Sequence, residues 1–167
     1  AIDYDLPAPF MGRHLIAGEW VASAETFERV SPSHDTVVSV SAKGDEAVTE
    51  RAIAAAREAF ESGVWSRISG KARAAVLLKV ADLIEANVER IAVQETLESG
   101  KPISQSRGEV GGAADLWRYA ASLARTTHGD SHNTLGEDIL GVVVKDPIGV
   151  VSIITPWNFP FWILSQK

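Results

Sequence analysis

The stretch Thr155-Pro156-Trp157-Asn158-Phe159-Pro160 sets one carboxamide between two prolines and two aromatic rings. Each proline fixes its own φ near about −65°, so the segment has few conformations to lose and can hold Trp157 and Asn158 in one orientation. That rigidity suits an amide that donates an N–H to negative charge developing in a transition state. A plainer reading fits the same residues: Asn158 as a buried structural amide bonded to backbone carbonyls, with Trp157, Phe159, Phe161 and Trp162 as ordinary core. Spacing alone leaves both open.

Other chemistry is sparser. The 167 residues contain no cysteine, hence no thiolate nucleophile, disulfide or cysteine-based metal site. His128 and His132 are four apart in HGDSH, which would bring two imidazoles together only on a helix, and Gly129 with its polar neighbours argues for a turn. No metal is assigned there, and His14 and His34 offer less. Gly108, Gly111 and Gly112 in GEVGG lack the G-x-G-x-x-G pattern and follow no strand, so they are read as close-packing positions in a helix rather than a phosphate cradle.

The elements that must carry the box follow from hydrophobic period. LIAGEWV at 15–21 reads as two short strands around Ala17-Gly18, and FERVSP and TVVSVSAK as further strands of a small β layer. From Asp45, an N-cap acid, Val48, Ala52, Ala55, Ala59 and Phe60 form one helical stripe that Gly63 ends. A second helix opens at Ser69, buries Leu77, Val80, Ala81 and Ile84, and breaks near Asn87. A third runs from about Val88 to Ser99, stopped by Gly100 and Pro102. A fourth carries Val110, Ala113, Ala114, Trp117, Ala121 and Ala124. A polar turn region and two strands follow, ILGVVVKD and then Gly149 to Ile154, the latter apolar on both faces like a strand of a covered parallel sheet. Ligands of such sheets bind at the carboxyl ends of strands, where the box lies.

Composition narrows the partners. A net charge of −6 without a basic block gives no electrostatic footprint for nucleic acid or an anionic membrane. No apolar run approaches the ~20 residues of a membrane span, and AIDYDLPAPFMGRH has neither a basic nor an apolar leader region, so the expected location is the cytoplasm.

IAGEW at 16–20, ETLESGKP at 95–102, DPIGVV at 146–151 and TPWNFP at 155–160 followed by Lys167 together resemble the aldehyde dehydrogenase superfamily, in its order and approximate spacing over nearly the whole chain. The resemblance implies an α/β fold: helices on an open, Rossmann-like cofactor-binding sheet with a projecting oligomerisation β-hairpin, incomplete as given. Residues 1–127 would be the N-terminal part of the cofactor-binding domain, 128–147 the hairpin, and 148–167 the start of the nucleotide-binding sheet and its following helix.

The implied activity is oxidation of an aldehyde to the acid with NAD or NADP, NAD being favoured. A cysteine thiolate attacks the carbonyl, hydride leaves to the nicotinamide, and a glutamate activates water. Asn158 matches the side-chain donor of the oxyanion hole, and Ile154, Thr155, Pro156 and Trp157 match the turn lining the cofactor. Lys167 matches a lysine that relays protons near the catalytic glutamate. Glu98 stands where many members carry an aspartate beside a monovalent cation; its longer side chain leaves the metal unassigned. Partners would be the aldehyde and further copies of the chain, as dimer or tetramer.

The cysteine, the glutamate and the groups that read the cofactor ribose would all lie after residue 167. Two readings therefore stand: the N-terminal part of a dehydrogenase, inactive without its remainder, or a natural non-catalytic short form that binds a full-length subunit through the hairpin. On the first, much of FPFWIL should lack partners.

Overall fold

The computed structural model describes residues 6–167. The leader reading of the first fourteen residues thus falls partly outside the described part.

Five short strands open the chain: β1 (Phe10–Gly12), β2 (His14–Ile16), β3 (Glu19–Val21), β4 (Thr26–Val30) and β5 (Val37–Ala42). They form a three-stranded sheet in the order β1-β5-β4, parallel then antiparallel, and a separate β2-β3 hairpin. Ile16 pairs with Glu19, which leaves Ala17 and Gly18 as a two-residue turn, both at positive φ (52° and 83°). This is the primed turn whose twist matches the flanking strands.

α1 (Glu46–Ser62) begins where Asp45 accepts the Val48 N–H at 2.8 Å and ends at Gly63 with φ 77°. Its apolar stripe is only half-covered, and Ala59 is exposed. α2 (Gly70–Ala86) starts at a Ser69 cap, and α3 (Val88–Ser99) ends at Gly100, whose N–H bonds the Thr96 carbonyl at 2.8 Å. α4 (Ile103–Thr126) begins directly after Pro102. All four helices lie where the sequence places them.

The core sits between α2, α3 and α4. Ala81, Ile84, Ala92, Val110 and Ala114 are buried together, with Ile91, Ile103, Trp117 and Phe161 packed around them. Small side chains let the helices approach closely, and at Gly70 a β-carbon would stand 2.1 Å from the Ala124 carbonyl oxygen. Two charged forks brace the outside. Arg118 meets Glu85 through two bonds of 2.7 Å, joining α2 to α4, and Arg107 meets Glu89 at 2.8 and 2.6 Å, joining α3 to α4.

Two expectations change here. Of GEVGG, only Gly112 is a close-packing position: a β-carbon there would lie 2.1 Å from the Trp162 ring, whereas at Gly108 and Gly111 it would meet open space. The segment from Gly149 to Ile154 is not a strand. It runs outside any ladder among the described residues, with Val151, Ile153 and Ile154 exposed. The apolar run has the composition of a covered strand, but none of the described segments supplies the neighbours that a ladder requires.

Before it, β6 (Ser131–His132) and β7 (Gly141–Val142) form a short antiparallel hairpin. ILGVVVKD contributes only two residues to that ladder. Val143 extends the pairing, its N–H bonding the Asp130 carbonyl at 2.8 Å. The chain closes with α5 (Pro160–Gln166), whose first residue is the second proline of the box. No helix among the described residues is long and apolar enough to cross a membrane.

Candidate functional site

The box is held from below by Lys101. Gly100 takes φ 76° at the end of α3, the chain turns, and Lys101 projects its side chain between α3 and α4, 12% exposed. Its Nζ donates to Glu95 Oε1 at 2.9 Å, to Glu109 Oε2 at 2.5 Å and to the Asn158 carbonyl oxygen at 2.9 Å. The Phe159 ring centroid lies 5.1 Å from the same nitrogen. An ammonium has three N–H groups, and each here has an acceptor. One cation thus ties the backbone of the box to two neighbouring helices.

Glu95 and Glu109 are themselves largely covered, with side chains 5% and 14% exposed. Burial alone would lower the lysine pKa, but its hydrogen bonds to Glu109 and Glu95 outweigh it and hold Lys101 above its ordinary value. One cation cannot compensate two carboxylates fully. Burial therefore raises the Glu95 carboxyl above 4.5 despite its bond to Lys101, and Glu109 pushes the same way.

Ser99 Oγ donates to the Glu95 carbonyl at 2.6 Å, and Thr96 Oγ1 and Ser106 Oγ are bonded at 2.8 Å where α3 meets α4. The support of the box is therefore itself braced, by one bond within α3 and one between α3 and α4. Beyond Phe159, α5 packs Phe161 onto the core and Trp162 against Gly112, fixing the far end of the segment.

Two clefts flank it. The larger, about 920 Å³, is lined by Phe10, Gln94, Glu98, Thr155, Pro156 and Trp157 among others. A smaller one of about 400 Å³ brings Asn158 and Phe159 together with Lys101 and Glu109, and Trp157 borders both. Asn158 is exposed at the edge of the smaller cleft, and its backbone carbonyl accepts from Lys101. Within these residues neither Asn158 nor Trp157 is buried. Trp157 is 84% exposed, while Phe161 and Trp162 do take the half-buried core role.

Of the residues singled out in the sequence, Thr155, Pro156 and Trp157 line the larger cleft and Asn158 the smaller. Ile154, 85% exposed, lines neither, and Lys167 closes α5 on the surface. Glu98 borders the larger cleft, its Oε1 accepting from Gln94 Nε2 at 2.7 Å. His128 and His132 are not on a helix; His128 Nδ1 meets the Thr126 carbonyl at 2.9 Å. Lys101, Glu95 and Glu109 went unnoticed as a unit. The available signal was a lysine between Gly100 and Pro102, with acids six residues before it and eight after it.

The model of the aldehyde dehydrogenase family matches residues 20–167. The NADP/NAD-dependent aldehyde dehydrogenase PuuC of Escherichia coli is 40% identical over 99% of this chain and 34% of its own length. Betaine aldehyde dehydrogenase of Bacillus subtilis is 34% identical over 92% of this chain and 32% of its own. Among solved structures, an NAD-dependent aldehyde dehydrogenase from Sinorhizobium meliloti superposes with a TM-score of 0.95 at 47% identity, covering 99% of this chain and 34% of that one. Betaine aldehyde dehydrogenase from Staphylococcus aureus in complex with NAD+ gives 0.87 at 37% identity, covering 92% of this chain and 31% of that one. The chain spans about a third of the length of the relatives it matches, so its mixed α/β arrangement is one part of their fold. A match over most of these residues, shared by the family model and close structural neighbours, places the chain in the aldehyde dehydrogenase family.

Proposed function

We propose that these residues form the N-terminal third of an NAD(P)-dependent enzyme that oxidises an aldehyde to its carboxylic acid, with Asn158 as the side-chain donor to the carbonyl oxygen. The observation that carries this reading is Asn158, exposed at the smaller cleft on a backbone that Lys101 pins and two prolines flank. A donor set before the substrate arrives needs no reorganisation when charge develops on the oxygen.

The exposed Trp157 indole with Thr155 and Pro156 fits one flat, largely apolar wall of a nicotinamide cofactor's site. When bound, that cofactor supplies a hydride acceptor. The groups that would grip its ribose, the cysteine that would carry the thiohemiacetal and thioester, and the glutamate that would activate water belong to segments beyond these residues. Asn158 would bind the developing oxyanion, Trp157 would exclude water, and Lys167 would move protons near that glutamate. NAD is the favoured cofactor. The hairpin of 128–147 would join copies of the protein as a dimer or tetramer.

The test is expression of the entire reading frame that encodes these residues, with a panel of aldehydes and both cofactors. The expected result is aldehyde-dependent formation of reduced cofactor with release of acid; no turnover across the panel would sink the reading.

A further inference from the structure

We propose that Lys101 is a positioning residue for the reaction: its ammonium sets the orientation of the Asn158 amide by holding that residue's own carbonyl oxygen. This rests on the oxyanion role proposed for Asn158. The lysine is far from Asn158 in sequence, on the connection between α3 and α4, yet its Nζ lies 2.9 Å from the Asn158 oxygen. The other two donors are spent on Glu95 and Glu109, so the ammonium has one position in which all three bonds are made.

That arrangement is more than a brace between helices. Joining α3 to α4 requires only the two carboxylates, and the Arg107–Glu89 fork already does so on the surface. The third bond goes to the peptide oxygen of the residue whose side chain borders the smaller cleft. Phe159, over which the ammonium sits at 5.1 Å, is the next link and leads directly into α5. With the carbonyl of Asn158 held on one side and the ring of Phe159 on the other, rotation of the intervening backbone is restricted, and with it the direction of the Cα–Cβ bond from which the carboxamide extends.

A displaced donor costs the transition state more than the ground state, because the charge it answers exists only there. Loss of the lysine contact should therefore lower kcat while leaving the KM for cofactor unchanged. Removing Lys101 alone would strand two covered carboxylates, so the variant to use neutralises the whole cluster: Glu95→Gln, Lys101→Met and Glu109→Gln together. In the full-length protein this triple variant should lose on the order of 10²-fold in kcat. Made in an Asn158→Ala background, it should change kcat by less than about twofold, since a donor that is gone cannot be misaimed.

Thermal melting would check that each variant is folded. Should the triple variant not fold, Lys101→Arg carries the test, because its charge is kept while a planar guanidinium cannot occupy the single point shared by three acceptors. The same pair of results is expected from it. Losses that multiply independently of Asn158, or a normal kcat in the folded variant, overturn the positioning role and leave the oxyanion role intact. A wild-type protein without aldehyde turnover overturns both.

Discussion

At the scale of single residues, Asn158 meets Lys101 through its backbone carbonyl and the smaller cleft through its exposed side. Asn158 borders a cleft while its carbonyl oxygen is held by an ammonium, and on the proposed roles its side chain serves binding and its backbone orientation. In the full-length protein, Asn158→Ala should reduce kcat by about 10² to 10³-fold with cofactor affinity little changed, as cofactor titration and pre-steady-state kinetics would show. Normal turnover with the chemical step rate-limiting would remove the role. The box could be picked out in the sequence because two prolines announce a rigid segment. The lysine could not, because what matters is its third hydrogen bond, made to a peptide group whose position depends on the packing of three helices.

Among the elements, the helices were the most legible, since their caps and stripes are local. Asp45, Ser69, Gly63 and Gly100 act where their side chains or φ angles allow. The run from Gly149 to Ile154 was not, because a strand is a property of its neighbours as well as its own residues. Packing between elements gives two tests. Gly112→Val should wedge α5 away from α4, since even a β-carbon would collide with Trp162; a cost of about 1 to 3 kcal/mol in chemical denaturation is expected.

The forks between helices should be visible in acid. Hydrogen bonds from Arg118 and Arg107 hold Glu85 and Glu89 below their ordinary value of 4.5. Their stabilisation is present above that value and lost as the pH falls through the lowered folded one. Glu95 runs the other way. Its raised value means that the protonated form suits the fold, and the advantage disappears as the pH rises from 4.5 through the raised value. Glu85→Gln with Glu89→Gln should therefore flatten the acid limb of a Tm-against-pH profile. An unchanged limb would show that the forks contribute nothing measurable, as many exposed pairs do.

Over the whole molecule, apolar surface concentrates at the C-terminal side, where Ile148, Ile154 and Trp157 are each more than 80% exposed. Residues 1–167 on their own should therefore bind the dye ANS and take up cofactor weakly or not at all; an ANS-negative, cooperatively melting monomer would contradict this. Val143→Pro removes the N–H that meets Asp130, so in the full-length protein it should shift sedimentation toward smaller species if the hairpin joins subunits. The distribution of lysines gives the molecule a chemical fingerprint as well. Lys43, Lys71, Lys79, Lys145 and Lys167 are exposed, whereas the amine of Lys101 is engaged on every N–H and held in its charged form. An acylating reagent is attacked by the free-base amine, so among the described lysines Lys101 should be the last to become modified, and its acylation would replace a donor of three bonds with a neutral amide. Mass spectrometry along a time course of acetylation would check this order: Lys101 modified as early as the exposed lysines would show that its three bonds do not hold the amine in solution.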